Sequence, residues 1–406
     1  MAGALDGIRV IDLTMWFQGP VAGQHLADLG AEVIHFERPQ GGDLGRGVRT
    51  IKALPIGDWN QYFLVINRNK KSMAVDLGKP AGVEIMHKLV KESDVFLSNL
   101  SRKALAKWKC SYDELRAINP KLVYAMGSGY GPFGGVTKPS FDMTVQALTG
   151  IMARLGEPEQ PPIYLGMGSG DAMGGIMTAL GIMLALQARE RTGTGQFVDA
   201  SLYGSQLFMA SPTLQAFLAT GDQRYEKQRS RTTPDNPLWN TYPAEDRWVF
   251  LCEENTDAAW ERLCGTLGGT SGGPLASDER FRTAAGRTEH ATALVGAFDE
   301  MLRQRPADDW LTRWREAGIT ASLIRNLQEL GDDPQAWEND YFVKTHCDEV
   351  NREVTVRGLP VSFSKTPGSV RHLGPELGQD TEMTLVDTLG YTWEQVGELK
   401  EQGVIL

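Results

Sequence analysis

Short β-rich runs alternate with longer stretches of helical periodicity from Gly7 onward. Ile8-Arg9-Val10-Ile11 and Glu32-Val33-Ile34-His35-Phe36 have strand length, and helical patterns cover residues 22–29 and 81–92. Asp94-Val95-Phe96-Leu97 and Leu122-Val123-Tyr124-Ala125-Met126 are further buried-strand patterns, with a helix predicted between them over 112–118. Strands alternating with helices predict an α/β domain with a parallel, Rossmann-like sheet. A long apolar helix follows over 176–186, then Gln196-Phe197-Val198-Asp199-Ala200-Ser201 leads as a strand into another helix.

The polar, charged stretch 221–236 interrupts this rhythm as a linker or loop before Trp248-Val249-Phe250-Leu251. A helix over 258–267, a glycine-rich break over 268–273 and helical periodicity over 291–302 and 310–315 come next. The division expected is therefore a large domain beginning with 1–220, a smaller α+β domain with its connections over 221–330, and a return to the large domain over 331–406.

A chain of 406 residues can bury a substantial core, and its net charge of −10 argues against nonspecific nucleic-acid binding. Cys110, Cys252, Cys264 and Cys347 form no C-x-x-C pair, which points to neither a disulfide framework nor a cysteine zinc site. The N-terminus carries no basic segment leading into an apolar run, and no ~18-residue uninterrupted apolar stretch is present. A cytoplasmic protein with no membrane partner is expected.

The most informative chemistry is Gly168-Ser169-Gly170-Asp171-Ala172-Met173-Gly174-Gly175, directly before the long apolar helix. Glycines allow a tight turn and close approach of a ligand, while Asp171 at a helix start would face unpaired N–H groups and the positive end of the dipole. Two readings fit those residues: an ordinary N-cap, or an exposed nucleophile. The Gly-x-Gly patterns here lack the spacing and downstream acid of a nicotinamide-binding fingerprint, which excludes a dehydrogenase.

Ordered fragments extend this motif over much of the chain. Leu5-Asp6-Gly7-Ile8-Arg9-Val10-Ile11-Asp12-Leu13, Leu29-Gly30-Ala31-Glu32-Val33-Ile34, Glu37-Arg38-Pro39, Asn67-Arg68-Asn69-Lys70-Lys71-Ser72 and Arg191-Thr192-Gly193-Thr194-Gly195-Gln196 occur in that order around Asp171. Together they resemble the class III CoA-transferase family, which includes formyl-CoA and carnitine-CoA transferases.

The resemblance implies two subunits interlocked like rings, with CoA and acyl-CoA as substrates and no tightly bound cofactor. It implies Asp171 as the nucleophile that exchanges CoA between carboxylates through an anhydride and an aspartyl-CoA thioester. By the same resemblance Gln18 and Asp142 belong to the catalytic site, and Arg38, Lys70, Lys71, Asn99 and Lys107 bind CoA, with Arg46 and Arg102 in reserve. In place of the glycine-rich mobile loop of many relatives stands 230–242. Its Asn236-Pro237-Leu238-Trp239-Asn240-Thr241-Tyr242 is similar to relatives that handle branched or aromatic acids; Trp239, Tyr242, Trp16 and Phe17 are candidates for an apolar acyl wall, and dicarboxylic acids are also considered. Two alternatives are a 2-methylacyl-CoA racemase and a noncatalytic acyl-CoA-binding subunit of a heteromer. The first needs a second proton carrier where Phe141 stands, and the second sits poorly with an intact Gly170-Asp171.

Overall fold

The computed structural model describes residues 3–50, 56–136, 138–226, 228–268 and 273–406. Six parallel strands form its central sheet: β1 (Arg9–Leu13), β2 (Glu32–Glu37), β3 (Lys71–Ala74), β4 (Val95–Ser98), β5 (Val123–Met126) and β6 (Phe197–Asp199), in spatial order β3-β2-β1-β4-β5-β6. The connecting helices are α1 (Gln18–Asp28), α2 (Gln61–Ile66), α3 (Pro80–Lys91), α4 (Arg102–Lys107), α5 (Tyr112–Ile118), α6 (Asp142–Leu148) and α7 (Ser169–Thr192), with α8 (Leu202–Met209) after β6.

Period-2 alternation divides the core between the two faces of the sheet. Val10, Val33, Val95, Leu97, Val123 and Ala125 pack with Ala22 and Leu26 of α1 and with Ala179 and Ile182 of α7. Their neighbours Ile11, Ile34, Phe36, Phe96 and Tyr124 face Ile85, Leu89 and Leu115 from α3 and α5. Burial on both faces is what a parallel sheet requires.

Two details differ from the sequence reading. The edge strand β3 is absent from it, because Lys71-Ser72-Met73-Ala74 is short and begins with two polar residues. α1 begins at Gln18, four residues before the expected start at 22, so Gly19 and Pro20 lie in its first turn; proline is tolerated there because its missing N–H has no intrahelical partner in any case.

The chain forms two compact units. The first contains Met1–Ile151, Tyr164–Gln215 and Pro334–Leu406, and the second Met152–Ile163 with Ala216–Asp333. In the second, the antiparallel strands β7 (Trp239–Pro243), β8 (Trp248–Cys252) and β9 (Ala321–Leu323) pack with α9 (Asp257–Thr266), α10 (Ala291–Leu302) and α11 (Ala307–Glu316) around Trp260, Phe298, Trp310 and Trp314. Of the glycine-rich break expected over 268–273, residues 269–272 lie outside the described residues. In the returning segment of the first unit, β10 (Phe342–Cys347) and β11 (Arg352–Arg357) make an antiparallel hairpin.

That hairpin is tied down by a buried charge cluster. Arg68 donates to both oxygens of Asp28, at 3.0 and 3.1 Å from Nε and 2.7 Å from Nη2, and its Nη1 donates to the Arg357 carbonyl. Asn69 bridges Asp28 (2.6 Å) to the Ser369 carbonyl (2.7 Å). The Asn67-Arg68-Asn69-Lys70 block is thus a fastening between distant parts of the chain.

Candidate active site

In an open α/β sheet, ligands bind outside the carboxyl ends of the strands where the strand order reverses. Here that point lies between β1 and β4. The turn after β1 is pinned to the end of β4 by Asn99, whose Oδ1 accepts from Met15 N at 2.9 Å and whose Nδ2 donates to Met15 O at 2.7 Å. Trp16 follows at φ 67°, an unfavourable conformation for a bulky side chain, with its N–H directed at Asp43 Oδ1, 3.3 Å away. Phe17 then caps α1, and its ring lies 5.5 Å from that of Tyr62, centroid to centroid.

The α7 N-terminus reaches the same rim, since α7 runs antiparallel to β6 on its way to that strand. Gly168 is the N-cap, at φ 81°, and Asp171 is the third residue of the helix. Asp171 is therefore not the N-cap that its local sequence also permits. The capping carboxylate comes from elsewhere: Asp142, at the start of α6, accepts from Gly168 N at 2.7 Å through Oδ2 and from Gly170 N at 3.1 Å through Oδ1. Gln206 of α8 and Gln146 of α6 also donate to Asp142 Oδ1, at 2.9 and 3.1 Å. This convergence leaves no space beside Gly170, where a Cβ would lie 2.0 Å from Gln206 Nε2 and 2.3 Å from Asp142 Oδ1.

With its neighbour already engaged, the Asp171 carboxyl is half-buried and pushed up to about 7, first by burial and then by the negative charge of Asp142. A carboxylate with a raised pKa is poorly solvated and more nucleophilic than an exposed one. Burial and the charges of Asp171 and Asp43 together push the Tyr62 phenol upward, which places Tyr62 within electrostatic reach of Asp171. Two pockets of about 320 and 500 Å³ flank Phe17; Ala172 and Ile176 line the smaller, and Tyr62 and Met167 the larger.

Gln18, the first residue of α1, is buried and donates through Nε2 to the Ala200 carbonyl at 3.0 Å, just beyond β6. A Cβ on Gly174, one turn after Asp171, would lie 2.9 Å from that same nitrogen. Gln18 thus packs along α7 against Gly174 and Gly175, in the turn that follows Asp171. Asp142 does not hydrogen-bond to Gln18; its partners are the α7 amides and two other glutamines.

Beneath the rim lies a buried charged layer. Lys70 Nζ donates to Asp12 Oδ2 (2.7 Å), Asn67 Oδ1 (2.8 Å) and Pro20 O (2.9 Å). His35 sits with Nδ1 3.4 Å from Asp12 and Nε2 3.4 Å from Asp43. Burial would lower the His35 pKa, but Asp12 and Glu37 outweigh it and push it up to about 9, so the ring is cationic at neutral pH. Glu37 receives Arg46 at 2.7 Å and Ser72 at 2.6 Å. Asp43 then links this layer to Trp16 in the turn above.

The structure separates the residues expected to bind CoA. Arg38 is exposed at the carboxyl end of β2 with Nε on Gly42 O at 3.2 Å, and Asn99 stands at the carboxyl end of β4. Lys107 is exposed at the end of α4, and Arg102 at its start donates to Pro132 O at 2.9 Å. Lys70 is a correction: its ammonium is enclosed and its three donors are used. Lys71 is a second, since it opens β3 opposite Ile34 of β2, four residues short of Arg38, and its ammonium pairs with Glu32 at 2.5 Å. Arg46 is committed to Glu37. Tyr242 is a third correction, being fully buried in the core of the second unit with its hydroxyl on Pro237 O, while the Trp239 ring is exposed.

Sequence reasoning missed Gln206, Tyr62 and Asp43. Gln206 is, with Ser205, a polar residue inside a largely apolar helix pattern, Leu202-Tyr203-Gly204-Ser205-Gln206-Leu207-Phe208-Met209, which is a usable signal. Tyr62 and Asp43 carry none, because nothing local marks what they meet.

The sequence profile of CoA-transferase family III matches residues 5–381. The chain is 32% identical to the succinyl-CoA–D-citramalate CoA-transferase of Chloroflexus aurantiacus, over 99% of this chain and 98% of that protein. It is 30% identical to the (R)-2-hydroxy-4-methylpentanoate CoA-transferase of Clostridioides difficile, over 99% of each. A CAIB/BAIF family protein from Brucella suis superposes with a TM-score of 0.84 at 29% identity, over 95% of this chain and all of that one. With this match running almost end to end, the chain belongs to CoA-transferase family III and is an enzyme that moves CoA from an acyl-CoA to a carboxylic acid.

Proposed function

We propose that Asp171 is the acyl and CoA carrier of this transfer. Its carboxylate attacks the donor thioester, forming a mixed anhydride and expelling CoA thiolate. The thiolate attacks the aspartyl carbonyl, giving an Asp171–CoA thioester and the free donor acid. The acceptor carboxylate attacks that thioester, forming a second anhydride and again expelling the thiolate, which attacks the acceptor carbonyl. New acyl-CoA leaves and the Asp171 carboxylate is restored, so every bond and charge is recovered.

The observation that carries this reading is a half-buried carboxyl pushed up to about 7 at the sheet's carboxyl rim, with Asp142 fixed behind it. Asp142 and Gln206 act as positioning residues that set the first turn of α7, and Gln18 packs against the next turn. CoA runs along the rim past Asn99 and Arg38, with Lys107 and Arg102 beyond β4; Lys70 and Lys71 take no part. The acids handled are dicarboxylic or branched, as the names of the two relatives indicate for those proteins.

A second copy of the chain completes the assembly in this reading. Ile176, Leu180 and Leu184 are exposed at helical spacing along α7, and Phe208 of α8 is exposed as well. Sedimentation of the parent and of Leu180→Asp/Leu184→Asp tests this, with loss of the dimer in the variant expected.

The experiment for Asp171 is trapping. Parent enzyme incubated with acyl-CoA and hydroxylamine should yield a hydroxamate at residue 171 by peptide mass spectrometry, and Asp171→Asn should neither label nor transfer. Labelling confined to other residues would remove Asp171 from the mechanism.

A further inference from the structure

Arg357 ends β11 and lines both pockets that flank Phe17. Among the described residues neither lining contains a carboxylate, and Arg357 is the single Lys or Arg in each. The other walls are mainly apolar: Val21, Ile176 and Leu359 on one side, Trp59, Val65 and Met167 on the other.

The guanidinium itself has no hydrogen-bond or ion-pair partner among the described residues, while its own carbonyl is fastened to the buried Arg68–Asp28 pair. A fixed backbone thus holds an exposed guanidinium, without a protein partner among the described residues, at the edge of both apolar-walled pockets. Although the residue as a whole is exposed, partial enclosure of the guanidinium and then the nearby Arg68 charge hold its pKa below the ordinary arginine value. Such a site gains most from an anion with planar oxygens, which a guanidinium can bind through two parallel hydrogen bonds.

We propose that Arg357 receives the second carboxylate of a dicarboxylic acyl group and so determines selectivity for dicarboxylic over monocarboxylic acids. This deepens the Asp171 reading and rests on it, because Ala172, the residue after Asp171, lines the smaller pocket together with Arg357. A CoA phosphate offers similar oxygens, but the CoA-binding candidates Arg38 and Asn99 stand at the ends of β2 and β4 and line neither pocket.

The test compares succinyl-CoA with butanoyl-CoA as donors to one common acceptor acid, for the parent, Arg357→Met and Arg357→Lys. Steady-state transfer rates give the selectivity, and hydroxamate formation at Asp171 is followed separately. In Arg357→Met, kcat/KM for succinyl-CoA should fall about 10- to 100-fold while that for butanoyl-CoA stays within about threefold, and Arg357→Lys should recover part of the loss. An equal loss with both donors would assign Arg357 to CoA phosphate, and no loss with either would leave it without a role; both overturn the proposal. Absence of the hydroxamate would instead refute the carrier role of Asp171, while the donor ratio still decides Arg357. Melting temperatures of the three proteins keep misfolding from counting as an outcome.

Discussion

Asp142 accepts the N–H of Gly170, the residue before Asp171, at 3.1 Å, so one carboxylate orients the backbone that carries the other. The same anion repels the charge of Asp171 and supports its raised pKa. Positioning and activation therefore come from a single side chain on a different helix.

Replacing that side chain should separate the two effects. Asp142→Asn removes the repelling charge and leaves one acceptor oxygen where four donors now converge, so at least one N–H loses its partner. A stability loss of about 1–3 kcal/mol is expected. The acid limb of the pH–rate profile should move to lower pH, toward the ordinary carboxylate value; an unmoved limb would show that Asp142 does not act on the titrating group.

The pH dependence of Asp171 has a definite sign. Its pKa rises from 3.8 to about 7 on folding, so between those values the folded state binds the proton more tightly than the unfolded state. Stability consequently falls as pH rises through this window, and the penalty is complete above about 7. Asp171→Asn removes the penalty. Its Tm should match the parent near pH 4 and exceed it by a few degrees at pH 8, at roughly 2–4 °C per kcal/mol. Parent turnover should show the complementary trend, rising with pH to a midpoint near 7 as the nucleophile ionises.

Gly170→Ala tests the tightness of the turn. The added methyl would lie 2.0 Å from Gln206 Nε2, so either the amide or the helix start must move. Because displacement of a reacting group by about 1 Å can cost about 10²-fold, kcat should fall by that order while CoA affinity changes little. Isothermal titration beside steady-state kinetics measures the two.

The adjacent lysines should behave oppositely. Lys70→Met removes the buried ammonium paired with Asp12 and leaves that carboxylate to His35 alone, and a loss of about 3–5 kcal/mol is expected from breaking such a pair. Lys71→Met removes a half-exposed pair with Glu32, and a change of about 0–1 kcal/mol should follow. Denaturant titration distinguishes them, and CoA affinity should survive Lys71→Met; a tenfold weaker affinity would restore Lys71 to the nucleotide site.

Local pattern alone determined much of this protein. Apolar runs of strand length predicted β1, β2, β4, β5 and β6, and the helical spacing over 112–118 and 291–302 matches the helices found there, because side-chain periodicity is a property of neighbouring residues. The small-residue stretch around Asp171 pointed to a helix start, since glycines and an acid belong chemically with unpaired N–H groups. Tertiary structure decided what those N–H groups meet. They are capped by Asp142, 29 positions before Asp171, and by no residue of their own segment, so Asp171 is left to take its charge properties from burial and from a distant anion. Likewise the Lys70-Lys71 pair reads as two equal surface charges, yet successive residues entering a strand point to opposite sides, and one ammonium turns inward to Asp12 while the other faces solvent. Burial and long-range charge pairing depend on which elements pack together, and no spacing within the chain encodes that.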